Sequence, residues 1–125
     1  MIVGLGIDLV HIPRMEKALD RWGDRFLGRV FTSGEKAYCL AHRMPAQSLA
    51  LRFAAKEACS KALGTGMRQG IAWRQMEVAS EPSGRPVLRL SGAAMARAAA
   101  LGAFSFHVSL SHEREYAVAV VVLGA

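Results

Sequence analysis

Apolar positions run almost unbroken through the first ten residues, IVGLGIDLV over 2–10, and so short a β-branched stretch predicts a buried strand. The period then changes. In IPRMEKALDRWGDRF, Met15, Leu19, Trp22 and Phe26 recur at steps of four, three and four, which predicts one apolar helical stripe, with Pro13 suited to the first turn. A short helix, SGEKAYCLAHR, is predicted after a Thr32/Ser33 cap. Pro45 introduces the longest helix, from about Ala46 to Leu63, with Gly64 as its C-cap.

Beyond that helix, IAWRQMEVAS and RPVLRL read as strands joined by the turn-forming EPSGRP, a hairpin. SGAAMARAAALG predicts a helix capped by Ser91 and stopped at Gly102, and FSFHVSLS and EYAVAVVVLGA predict two strands joined through the polar HERE. The order is β, helices, β, β, helix, β, β, with hairpins and no regular βαβ alternation. This predicts an α+β domain in which an antiparallel sheet of about five strands packs on the long helix. The last strand is apolar at nearly every position, so both of its faces should be covered, by helices or by another subunit.

Composition narrows the class. A chain of 125 residues suits one domain, 1–125, and its apolar share of 52% with no low-complexity tract excludes a disordered chain. Sixteen Lys and Arg against ten Asp and Glu give a net charge of +6, which favours anionic partners: nucleic acid, acidic protein or a phosphorylated ligand. Cys39 and Cys59 have neither CxxC nor metal spacing, so free thiols in a reducing compartment, the cytoplasm, are expected. The apolar tail is far shorter than the roughly 20 residues of a membrane span, and neither end reads as a targeting signal.

Asp8 stands out because it lies between Ile7 and Leu9 in the apolar first strand, where an ionised carboxylate needs compensation. A helix cap would be the bland explanation, but Pro13 is beyond the reach of its side chain. On the long helix Phe53, Glu57 and Lys61 share one stripe, and Arg52, Lys56 and Ser60 the stripe beside it. Glu57 and Lys61 could simply form a solvated i,i+4 pair. Arg52 and Lys56, like charges at the same spacing, call for an anion over them. Asp8 and Glu57 could hold Mg²⁺, whose remaining ligands would be water and phosphate oxygens, with Lys61 neutralising the same phosphates.

Elsewhere, SFHVSLSHEREYA places His107, Ser109 and Ser111 on one face of a strand with His112 at its end, either the wetted side of a sheet or a ligand wall. HEREY has Tyr116 where a zinc site needs its second His, and no Walker A or GxSxG pattern occurs. Arg14, Lys17, Arg21 and Arg25, with Arg29 beyond, line the first helix opposite its apolar stripe. They form either a solvated basic face or a docking stripe for an acidic partner helix. A basic nucleic-acid-binding module is the rival class, without a zinc, RRM or glycine-loop signature to support it. A noncatalytic trimeric scaffold is a third.

GIDLVHIPR, RFAAKEACSKALGTG, GRPVLRL and FHVSLSHEREYAVAVVV, in this order and over almost the whole chain, resemble the holo-acyl-carrier-protein synthases, the small bacterial 4′-phosphopantetheinyl transferases. The resemblance implies their fold and their reaction. In it the phosphopantetheine arm of coenzyme A passes to a serine of apo acyl carrier protein, releasing adenosine 3′,5′-bisphosphate in support of fatty acid biosynthesis. It implies Mg²⁺, a homotrimer with active sites at subunit boundaries, and neither nucleic acid nor membrane as partner.

By the same resemblance Asp8 and Glu57 match the metal carboxylates, and Lys61 the lysine that contacts the diphosphate. Arg52 and His107 match basic positions near the 3′-phosphate. Gly64, Pro86, Ser109, Ser111 and His112 fall along the coenzyme A wall, part of it supplied across a subunit boundary. Arg14, Lys17, Arg21, Arg25 and Phe26 fall where an acidic carrier docks. Phe53, where some relatives have Trp, and Glu113, where Thr often follows SLSH, depart from the pattern.

Overall fold

The computed structural model describes all residues 1–125 and gives the order β1 (Ile2–His11), α1 (Ile12–Val30), α2 (Ser33–Leu40), α3 (Pro45–Ala62), a 3₁₀ turn (Trp73–Gln75), β2 (Met76–Ser80), β3 (Pro86–Leu90), α4 (Gly92–Ala100), β4 (Ser105–Glu113) and β5 (Tyr116–Gly124). The architecture is α+β. Its strands, all antiparallel, divide into a three-stranded sheet ordered β1-β5-β4 and a separate β2-β3 hairpin, rather than one sheet of five. β3 lies beside β4 without joining its ladder, and it begins at Pro86, which has no N–H to donate.

Two glycines set how closely α3 lies on β1. A Cβ on Gly6 would fall on the carbonyl oxygen of Ala58, and one on Gly4 on that of Ala62. Side chains alternate along a strand, so the residue after these two on the helix-facing side is Asp8. The GLG of β1 is therefore a close-approach device that delivers Asp8 to α3.

α3 is central to the core. Ala54, Ala55, Ala58 and Ala62 are buried in a cluster with Ala119, Val121 and Leu123 of β5, and Leu49 and Ala50 in another with Phe31 and Cys39. The other face of β5, Val118, Val120 and Val122, is half-buried, so in one chain only the α3 face of this strand is fully covered. Cys39 and Cys59 are buried free thiols, and no helix is long and apolar enough to cross a membrane.

Three local readings change. α1 is broken at Gly23, whose φ of 52° and ψ of −131° lie outside the helical region. The break shifts the apolar stripe: Met15 is buried before it, Leu27 and Val30 after it, and Trp22 is left half exposed. The strand expected from Ile71 begins only at Met76. In the intervening turn the Gln75 side-chain oxygen accepts hydrogen bonds from the amides of Ala72 and Ala94, 3.2 Å each. Gln75 thereby serves the first turn of α4, where Ser91 makes no side-chain cap bond.

Candidate active site

The close approach of β1 and α3 brings Asp8, Glu57 and Lys61 together. Lys61 Nζ donates to Asp8 Oδ1 at 3.0 Å and to the carbonyl of Ile7 at 2.9 Å. The Glu57 carboxyl titrates above its ordinary value, first because burial disfavours its charge and second because Asp8 repels it, with Lys61 opposing both. Two carboxylates thus share one ammonium, and a second cation would relieve the excess. No three or more His, Cys, Asp or Glu side chains are grouped so that they could hold a metal ion together. The donor set is therefore two carboxylates, which suits a hard cation that completes its shell from water and substrate oxygens, as Mg²⁺ does.

Asp8 and Glu57 line a cleft of roughly 480 Å³ together with Met15, Phe53 and the predicted partner-binding residues Arg14 and Phe26. Lys17, Arg21 and Arg25 are exposed farther along α1, with Arg21 stacked 4.9 Å from the Trp22 ring centre. The basic stripe therefore leads to the mouth of the carboxylate cleft.

A second cleft, of roughly 460 Å³, gathers Arg52, Pro86, Ser109 and His112 with Tyr38, Ser80 and Arg85. Arg52 is 4% exposed, yet it meets only neutral groups: Ser80 Oγ at 3.1 Å, Ser48 Oγ at 3.4 Å and the Tyr38 ring at 4.2 Å. Its Nε has no partner. A buried guanidinium without a counter-charge is costly unless an anion binds to it. Gln47 Nε2 lies 3.3 Å from His112 Nδ1 at the same cleft.

The two groups of predicted residues do not meet within one chain. Arg52 and Glu57 are five residues apart on α3, which turns them about 140° from each other around its axis. β1 and β4 are separated by β5, about 10 Å at ordinary strand spacing. His107 and Ser111 are exposed on the face of β4 that also carries Ser109, and Gly64, with φ of 78° after α3, lines neither cleft.

One reading of the helix charges is corrected. The anion that offsets Lys56 is Glu35: Lys56 Nζ lies 2.7 Å from Glu35 Oε1, and both side chains are fully buried. Only Arg52 of that pair faces a cleft. Thr32 and Glu35 form a capping box, which marks Glu35 as a local helix device and conceals its long-range partner in the sequence. Tyr38, Ser80 and Arg85 carried no periodic signal and enter the second cleft through tertiary packing.

Residues 4–121 match the 4′-phosphopantetheinyl transferase superfamily, and the chain belongs to that superfamily and, within it, to the holo-[acyl-carrier-protein] synthase family. The holo-[acyl-carrier-protein] synthases of Koribacter versatilis and Solidesulfovibrio magneticus are 49% and 55% identical to it over 123 residues, 98% of either chain in each comparison. Among solved structures, the synthase from Neisseria meningitidis matches with a TM-score of 0.89 at 32% identity, covering 100% of both chains. The Helicobacter pylori synthase in complex with coenzyme A matches at 0.85 and 33% identity, over 96% of this chain and 99% of that one.

Proposed function

We propose that the chain works as one domain and transfers 4′-phosphopantetheine from coenzyme A to a serine hydroxyl of apo acyl carrier protein, releasing adenosine 3′,5′-bisphosphate. The observation that carries this reading is the meeting of Asp8 and Glu57 in a cleft at the foot of an exposed basic stripe, with Lys61 bonded to Asp8 beside it. Asp8 and Glu57 would hold Mg²⁺, which when bound would offset charge on the diphosphate as its bond breaks. Lys61, about half exposed, would turn part of its charge to the same oxygens. The attacking hydroxyl belongs to the carrier, so the chain needs no activated serine of its own. Arg14 and Phe26 would orient the carrier at the cleft mouth, with Lys17, Arg21 and Arg25 steering its acidic surface.

Arg52, with Pro86, Ser109 and His112, would hold an anionic part of the nucleotide, and His107 and Ser111 would extend that wall along β4. Because these residues stand apart from Asp8 and Glu57 in one chain, we assign the complete site to the boundary between subunits of a homotrimer. The outer face of the three-stranded sheet supports this assembly: Leu5, Ile7 and Leu9 are 64%, 59% and 61% exposed there. Free buried cysteines fit a cytoplasmic protein serving fatty acid biosynthesis. Incubating the protein with coenzyme A, Mg²⁺ and a competent apo carrier should raise the carrier's mass by one phosphopantetheine; an unchanged carrier would reject the reading.

A further inference from the structure

Lys56 is the one buried ammonium of α3, and its surroundings use all of its donors. Besides Glu35 Oε1 of α2 at 2.7 Å, it reaches the carbonyl of Met76 in β2 at 2.8 Å and that of Trp73 in the 3₁₀ turn at 3.0 Å. Three N–H groups meet three acceptors on three segments. Glu35 is equally committed: Oε1 also accepts from the Thr32 amide at 3.0 Å, and Oε2 from the Val78 amide at 2.9 Å. Phe53, one turn before Lys56, stacks on the Trp73 ring at 5.0 Å. One side of α3 is therefore pinned by directed bonds.

The other side rests on β1, where the carbonyls of Ala58 and Ala62 occupy the space above Gly6 and Gly4. Successive helix residues turn by about 100°, so Glu57 stands between Lys56 on one side and Ala58 on the other. A side-chain carboxylate about 5–6 Å from the helix axis moves by about 1 Å for a 10° rotation. Displacements of that size can lower turnover about 100-fold. An apolar pair of similar volume would serve stability as well as a buried ion pair does, but it would lack the directed bonds that help to fix this angle.

We propose that Lys56, held by Glu35, is a positioning residue that sets the rotation of α3 and thereby the placement of the Glu57 carboxylate opposite Asp8. The role rests on the reading of Asp8 and Glu57 as a metal-holding pair. Two variants test it: E35D, which keeps both charges and shortens the acidic arm by one methylene, and E35Q/K56M, which removes both charges of the pair. Each is followed by thermal melting, by Mn²⁺ titration with electron paramagnetic resonance, and by steady-state kinetics.

In each variant that melts cooperatively, Mn²⁺ affinity and kcat should fall by about tenfold or more while the KM for carrier stays within about twofold. A folded variant with Mn²⁺ affinity and kcat within about twofold of the parent overturns the proposal. So does failure of both variants to melt cooperatively, since the pair would then serve the fold as a whole. E57Q, titrated alongside, separates the premises: if it binds Mn²⁺ as tightly as the parent, the carboxylate-pair reading has failed, whatever Lys56 does.

Discussion

At the scale of single residues, the fold holds the Glu57 carboxyl in surroundings that cost stability when it is charged. Burial and the neighbouring Asp8 raise its proton affinity above the ordinary carboxylate value, against the pull of Lys61. Between its unfolded and folded pKa values the native state binds more protons than the unfolded chain, so stability falls as pH rises through that window. Removing the charge should reverse the effect. Without divalent cations E57Q should melt at a higher temperature than the parent near neutral pH, and the advantage should shrink toward about pH 4, where the parent carboxyl is also neutral. The same substitution should reduce turnover by roughly 100-fold or more, because it removes a ligand of the cation that would stabilise developing charge. Melting scans across pH and a carrier-mass assay check both arms. Mg²⁺ should raise the melting temperature of the parent and leave E57Q unmoved, because a ligand stabilises only the form that binds it.

The elements are held to this site by what the chain leaves out. Gly6 faces the carbonyl of Ala58 with no room for a methyl, whereas Gly28 in α1 has nothing within 4 Å of such a group. G6A should therefore push α3 off β1, costing about 1–3 kcal/mol as overpacked sites do, with a larger proportional loss of turnover as Asp8 and Glu57 separate. G28A should be neutral or stabilising by up to about 1 kcal/mol, as expected of Gly→Ala in an open helical position. Melting temperature and kcat, measured side by side, distinguish the two. Contrasts of this kind also mark how far the sequence could be read. Helix starts and stops were legible because Pro13, Pro45, Thr32 and Gly64 act within one turn of themselves. Asp8 was legible because a carboxylate amid apolar residues needs a partner. Gly4 and Gly6 were not, because their role depends on a helix more than 50 residues away. Lys56 and Glu35 are separated by 21 positions, beyond the i,i+4 logic that made Lys56 look like a ligand contact. Trp22 followed the helical period on paper and lost it at the Gly23 break.

At the scale of the whole molecule, the net charge of +6 and the exposed stripe of α1 would make the proposed docking of an acidic carrier open to electrostatic tuning. R21E should raise the carrier KM roughly fivefold, about 1 kcal/mol for a reversed rim charge, and leave the KM for coenzyme A unchanged; equal effects on both would discard the docking stripe. A stronger test concerns assembly. On the outer sheet face Leu5, Ile7 and Leu9 pair with Val122, Val120 and Val118, and beyond those lie His107, Ser109 and Ser111 in the same register. Burying that apolar row against another subunit would bring a neighbour's Arg52 cleft toward the Asp8 and Glu57 of this chain. D8N and R52M are each expected to be inactive as pure trimers. In trimers mixed from equal amounts of the two, a site formed across a boundary is intact when Asp8 comes from an R52M chain and Arg52 from a D8N chain. Random assembly gives each condition one chance in two, so about a quarter of the sites, and about a quarter of parental turnover, should return. R52M orphans no buried carboxylate, since Arg52 has only neutral partners, so its fold should survive the change. If refolded mixtures contain both chains in one trimer and still show no recovery, each site must draw Asp8 and Arg52 from the same chain, and the shared-site arrangement is wrong.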